Sequence, residues 1–249
     1  MKTNLLKINK STNKFTKSIL FVFLLVNTFN LVASDSSFYG KVNLDILSTE
    51  INSKSSSETN SNASRIGYKS KFKLSDNVNF LIQIENEIDV TDGKADKNKV
   101  LKQRNTFIGI SGDFGKLFIG THDTAFKKSQ LKVDLFNDSK SDIKNLFVGE
   151  NRSQDLVGYT SPELIDGLKI TLNNIKTSSK NYQSYAFNYN KENFKSSLGF
   201  DSGLKGFESK RFALTKTLNK STLGFLYQES INSDTSIKES SCKLFAAFA

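Results

Sequence analysis

The sequence predicts an all-β chain, a transmembrane antiparallel up-and-down β-barrel of about twelve strands. Three observations carry that expectation. After residue 35, segments of roughly ten residues alternate apolar and polar again and again, and no apolar stripe appears at helical spacing. The links between these segments are short and long in turn. Aromatic residues are plentiful, with 21 Phe and 7 Tyr, and many stand at strand ends, as the girdles of a membrane barrel require.

Residues 1–34 read as an export leader. Lys2, Lys7, Lys10, Lys14 and Lys17 form a basic region without an acidic residue, Ile19 to Val26 is apolar, and Val32, Ala33 and Ser34 offer small residues for cleavage before Asp35. The apolar run is about half of the ~20 residues a membrane-spanning helix needs. Its five lysines supply half of the chain's formal net charge of +10, so the barrel domain, 35–249, is only mildly basic.

Strands are expected at 37–47, 64–74, 78–89, 103–111, 116–121, 153–160, 168–176, 182–190, 194–202, 208–218, 221–230 and 237–248. Within 64–74, Ile66, Tyr68, Phe72 and Leu74 share one face, and Arg65, Lys69, Lys71 and Lys73 the other. Along 78–89, Val78, Phe80, Ile82 and Ile84 oppose Asn79, Gln83, Glu85 and Glu87. Asn105, Phe107 and Gly109 oppose Arg104 and Thr106; Leu168, Ile170 and Leu172 oppose Lys169, Thr171 and Asn173; Leu223, Phe225 and Tyr227 oppose Thr222, Gly224 and Gln228. A soluble sandwich would alternate too, so the links decide. Tight turns fall at 75–77, 112–115, 161–167, 191–193 and 219–220, and Ser/Asn/Lys/Asp-rich links at 48–63, 90–102, 122–152, 177–181, 203–207 and 231–236. Short on one edge and long on the other is the pattern of a membrane meander.

Composition excludes much chemistry. With one His and one Cys, a His/Cys metal cage, a disulfide framework and a Cys–His pair are ruled out. GISGDFGK fails as a phosphate loop, because Ile110 and Leu117 stand where Gly and Ser/Thr are needed. His122 opens a long link and is expected to be an exposed polar residue. The sequence implies no cofactor, no metal and no nucleic-acid partner.

Six stretches, FYGKVNLDI (38–46), SNASRIGYK (61–69), LIQIENEID (81–89), RNTFIGISGDFGKLFIGTHDT (104–124), VDLFND (133–138) and ENRSQDLVGYTSP (150–162), together resemble the general-diffusion porins of Gram-negative outer membranes. The resemblance implies homotrimers of sixteen-stranded barrels set in outer-membrane lipid and lipopolysaccharide, each with a long loop folded into its lumen. It implies passive passage of ions and small hydrophilic solutes. The segment from His122 to about Arg152 corresponds to that constriction loop. Arg65, Arg104 and Arg152 match wall positions whose basic side chains project into the pore, and their strand parity agrees. Asp134 and Asp138 are the candidates for the acidic side on the loop, with Glu85 and Lys69 completing the expected pore lining.

About 215 mature residues accommodate about twelve strands where sixteen need on the order of 300, so the chain is expected to be a porin truncated at its C-terminus. An intact twelve-stranded barrel stays open as an alternative. So do a structural, adhesive or hydrolytic outer-membrane barrel and a truncated porin that does not conduct.

Overall fold

The computed structural model describes residues 33–93 and 99–248. The leader expected at 1–34 lies, up to residue 32, outside the described residues. The chain runs β1 (Ala33–Lys41), β2 (Leu44–Ile51), β3 (Lys54–Ser61), β4 (Arg65–Ser75), β5 (Val78–Ile88), β6 (Leu101–Gln103), β7 (Thr106–Gly112) and β8 (Gly115–Asp123). A one-turn helix α1 (Ala125–Lys128) follows, then β9 (Arg152–Thr160), β10 (Leu168–Lys176), β11 (Asn181–Lys191), β12 (Phe194–Ser202), β13 (Phe207–Leu218), β14 (Ser221–Asn232) and β15 (Lys238–Phe248). The strand order in the main sheet is β1-β4-β5-β7-β8-β9-β10-β11-β12-β13-β14-β15, with β6 also paired to β5. Each ladder is antiparallel, so this is the expected up-and-down meander. β1 and β15 are its two edges among the described residues, and no ladder joins them there. Among those residues no helix is long and apolar enough to cross a membrane, so crossing falls to the strands.

The two faces of the sheet invert the usual distribution of a soluble protein. One register row, Ile170, Phe187, Leu198, Phe212 and Tyr227, crosses five neighbouring strands, and Phe187, Leu198 and Tyr227 in it are exposed. Tyr185 stacks on Phe200 at 5.0 Å between ring centroids, and Phe187 meets Phe200 edge-on on the same face. The opposite face buries Ser184, Ser197, Ser209, Asn173, Gln228 and Arg211. Apolar outside and polar inside is what a strand between lipid and a hydrated lumen demands.

Three local readings are corrected by the structure. The strand expected at 37–47 stops at Lys41, and the link expected at 48–63 contains a hairpin in which β2 pairs with β3. Asn52 and Ser53 turn that hairpin with φ of 51° and 60°, the two left-handed residues that a tight type I′ turn needs. Asn43 fixes its base, donating to the Asn62 carbonyl at 3.0 Å.

The strand expected at 103–111 is two strands. Asn86 pairs with Gln103, but Gln83 pairs with Phe107, so residues 104–106 face only 84 and 85, which is a bulge. One extra residue reverses the parity of everything after it. Phe107 therefore packs inward, buried against Phe118 and Leu156, and Ile108 takes the outer face, 43% exposed.

β8 also runs two residues further than expected. His122 is consequently buried, with its ring 4.7 Å from that of Phe118 and 5.2 Å from that of Phe107, and Nδ1–H donates to the Asp123 carbonyl at 2.7 Å. It is not the exposed loop residue the sequence suggested.

Phe118 stands between two glycines in register, Gly109 on β7 and Gly158 on β9. A Cβ at Gly158 would overlap the Phe118 ring. Gly158→Leu is expected to cost about 1–3 kcal/mol through overpacking, read as a lower urea midpoint for the protein folded in lipid vesicles. The double variant Gly158→Leu with Phe118→Leu should recover part of that loss; a purely additive result would show that the ring is not the obstacle.

Candidate functional site: the pore constriction

The loop between β8 and β9 folds onto the inner face of β10 to β14. Thr124 starts it, its hydroxyl accepting from the Lys127 amide at 3.1 Å as the cap of α1. The first turn is held by the wall itself: the Ala125 amide donates to Asn173 Oδ1 at 2.6 Å, and the Phe126 amide to Ser184 Oγ at 2.9 Å. Gly199 lies under Ser129, where a Cβ would overlap the serine side chain. Further along, Val133, Ile143 and Phe147 of the loop are buried on Ala213 and Leu226 of the wall.

Arg211 on β13 ties these pieces together from beneath. Its Nη2 lies 2.7 Å from Glu150 Oε1 at the loop's far end. Nη1 donates to the Phe126 carbonyl at 3.2 Å, and Nε and Nη2 donate to Gln228 Oε1 at 2.9 and 2.6 Å. The guanidinium also covers the Phe126 ring, 4.3 Å from its centroid. Gln228 passes the connection on, donating to the Val148 carbonyl at 2.9 Å.

The acidic residues of the loop divide by what holds them. Asp134 is buried and accepts from two of the loop's own amides, Phe136 at 3.1 Å and Ile143 at 2.9 Å. Asp142 accepts from the Lys144 amide at 2.8 Å and from the Asp138 amide at 2.8 Å. Asp138, whose backbone is left-handed at φ 69°, projects to the wall. Its Oδ2 lies 2.8 Å from Arg65 Nη2 and 3.5 Å from Lys41 Nζ.

Burial alone would raise the Asp138 carboxyl, but Arg65, then Arg104, outweigh it and hold the group below its usual range. A depressed carboxylate stabilises the folded state above its unfolded pKa of about 4 and loses that contribution only as pH falls through the lower folded value.

The other expected side chains are held along the wall. Arg104 Nε lies 2.9 Å from Glu85 Oε1, and Nη1 lies 2.8 Å from Glu87 Oε2. Glu85 is buried and takes a second donor, Tyr39 O–H, at 3.0 Å. The Tyr39 ring reaches it by crossing Gly67, where a Cβ would collide with it. Arg152 Nη2 lies 3.0 Å from Asp123 Oδ1, its Nε donates to Asn105 Oδ1 at 3.0 Å, and Lys127 Nζ is 3.0 Å from the same Asp123 oxygen. The bulge at 104–106 is what turns Arg104 and Asn105 inward together. Lys69 is exposed, four residues along β4 from Arg65 and on the same face.

Comparison with known proteins agrees with this architecture. The description Gram-negative porin belongs to a family whose profile matches residues 22–245. The chain belongs to the Gram-negative porin family. A curated relative, the major outer membrane protein P.IB of Neisseria sicca, is 35% identical over 103 residues, which cover 40% of this chain and 28% of that relative. An anion-selective porin from Comamonas acidovorans superposes with a TM-score of 0.71 at 18% identity, over 85% of this chain and 74% of that one. The OmpF of Salmonella typhi, solved with daunomycin, superposes with a TM-score of 0.67 at 15% identity, over 86% and 74%. The fold is that of a porin barrel, and the outer membrane is this porin's location.

Sequence reasoning missed Arg211, Glu150 and Tyr39. One signal for Arg211 was present: the porin has only four arginines among its 35 basic residues, and three of them were already assigned to the wall. All four face carboxylates on the inner side.

Removing Arg211 would leave Glu150 buried without its partner, which costs about 3–5 kcal/mol. Arg211→Met is expected to lower stability by that order and to open residues 124–151 to proteases in the folded barrel. Arg211→Met combined with Glu150→Leu should regain most of the stability; equal losses in both variants would show that the pair does not hold the loop. Acid should release the loop tip only below about pH 4. Proteolysis measured against pH tests this, and Arg65→Gln should move the release toward neutrality.

Proposed function

We propose that this porin is a passive channel for ions and small hydrophilic solutes, its selectivity set where the loop approaches the wall. The observation that carries this reading is the 2.8 Å contact of Arg65 with Asp138, which brings an acid of the loop against a base of the barrel across the inner space. Arg104 and Arg152, with Glu85, line the same wall, and Lys69 stands in the open on the strand that carries Arg65. Paired charges of this kind orient dipolar solutes and bias ion passage through side-chain rings. Diffusion through such a constriction makes and breaks no covalent bond.

The balance of free charge favours anions. Arg65, Arg104, Arg152 and Arg211 are each matched by a carboxylate. The inner-face lysines Lys69, Lys116 and Lys169 form no ion pair among the described residues. The apolar outer rows suit outer-membrane acyl chains, with lipopolysaccharide at the headgroup level, and we propose a homotrimer as the assembled form.

Planar-bilayer recording of the refolded protein tests the reading. Conductance steps in groups of three are expected, with a reversal potential of anion-selective sign in a KCl gradient. Asp138→Asn should move that potential further toward anions. Cation-selective current would overturn the charge assignment, single steps the trimer, and silence from correctly folded protein the channel itself.

A further inference from the structure

Below α1, on the side of the tight turns, the inner face contains a cavity of about 410 Å³. Three lysines from three elements line it: Lys116 on β8, Lys128 on α1 and Lys169 on β10. None of them forms an ion pair among the described residues. The single acid in the lining, Asp123, is already held by Lys127 and Arg152 at 3.0 Å each and by Asn105 at 3.2 Å. Such an arrangement gathers three lysines without a carboxylate of their own on one space, where an anion is attracted.

One of the three lysines is held in place. Lys116 does not wander, because its ammonium rests over the rings of Phe107 and Phe118, 4.1 and 4.9 Å from their centroids. Those rings are buried and locked by Leu156. Ser111, Thr160 and Thr171 add hydroxyls to the lining, each able to donate to an oxyanion. Compact point charges with hydroxyl donors around them suit phosphate, whose oxygens accept from several directions.

We propose that this cavity is a binding site for phosphate and small phosphomonoesters on the solute path, with Lys116, Lys128 and Lys169 as its anion-holding residues. The proposal rests on the reading of the inner face as that path, since it names a solute class for it. Lipid phosphates have no access to the inner face, so the ligand is a free solute.

Equilibrium dialysis with labelled inorganic phosphate, on the full chain folded in detergent, tests the site without requiring conduction. Saturable binding of one phosphate per chain is expected, competed by glycerol phosphate and hardly by acetate or chloride. Lys116→Gln and Lys128→Gln should each weaken it about tenfold or more, as loss of a charge-assisted bond does. Lys116→Arg should retain it. Lys195→Gln, on the same face as Ser197 but outside the cavity, should leave it unchanged.

Lys128 is exposed on α1, so Lys128→Gln keeps the test decisive should Lys116→Gln fold poorly. Equal weakening by Lys195→Gln, equal competition by chloride, or no saturable binding would each overturn the site. Conductance is read separately: phosphate binding with a silent bilayer would refute the channel and keep the site, and current without binding the reverse.

Discussion

A strand in hydrocarbon can satisfy its backbone N–H and C=O groups only through neighbouring strands, and that requirement decides where each residue type of this chain stands. Once each strand is paired on both flanks, its two faces are all that sequence can vary. Lipid takes Leu172, Leu198 and Ile119, all of which a soluble protein would bury, and here they are exposed. The inner face is then free to be polar, and also to be small. Ser184, Ala186, Ser197 and Ala213 are buried there, and with Gly199 they form the shallow floor on which α1 and the rest of the loop lie. A wall of larger residues would keep the loop off it.

The floor gives the loop a place; Arg211 gives it a fixed position. Its guanidinium is fully buried and holds the beginning of the loop through Phe126 and the end through Glu150. A buried charge is costly unless all its donors are used in good geometry, and the loss on breaking such a group exceeds what the intact group contributes. The cluster therefore acts less as a source of stability than as a condition on position. The loop is either seated, with the guanidinium satisfied at both ends, or it leaves a charge uncompensated in the wall. Holding the loop's two ends in this way favours the meeting of Asp138 with Arg65.

Much of the fold was legible because lipid enforces strict alternation, and alternation survives in the sequence wherever the register is regular. Strands β10 and β12 fall where the periodicity placed them. The reading failed where phase changes without a change in composition. At 104–106 one inserted residue reverses the parity, and Phe107, apolar, passes to the inner face beside Phe118, which no count of alternate residues could reveal. The β2–β3 hairpin was hidden because β3 is wholly polar, half Ser with Lys, Glu, Thr and Asn, and shows no apolar face at all. Asp134 and Asp138 are alike as residues; only the path of the loop makes one a brace for backbone amides and the other a partner for Arg65. Arg211 lies beyond the stretch where resemblance could assign roles.

The division of labour between the two basic residue types follows from their chemistry. Arginine presents a planar fork that can fix a carboxylate at two points, and it stays charged when buried. All four arginines of this chain hold carboxylates: Arg65 meets Asp138, Arg104 meets Glu85 and Glu87, Arg152 meets Asp123, and Arg211 meets Glu150. Such pairs shape the inner space while cancelling most of their own field. Lysine is a flexible, strongly hydrated point charge, poorly suited to bracing. Without a carboxylate among the described residues, Lys69 and Lys169 contribute field without structure, while Lys116 rests on Phe107 and Phe118. The residues that brace the inner face and the lysines that carry charge without a carboxylate are thus different sets. Substitution of an arginine should act through shape, and substitution of one of these lysines through charge.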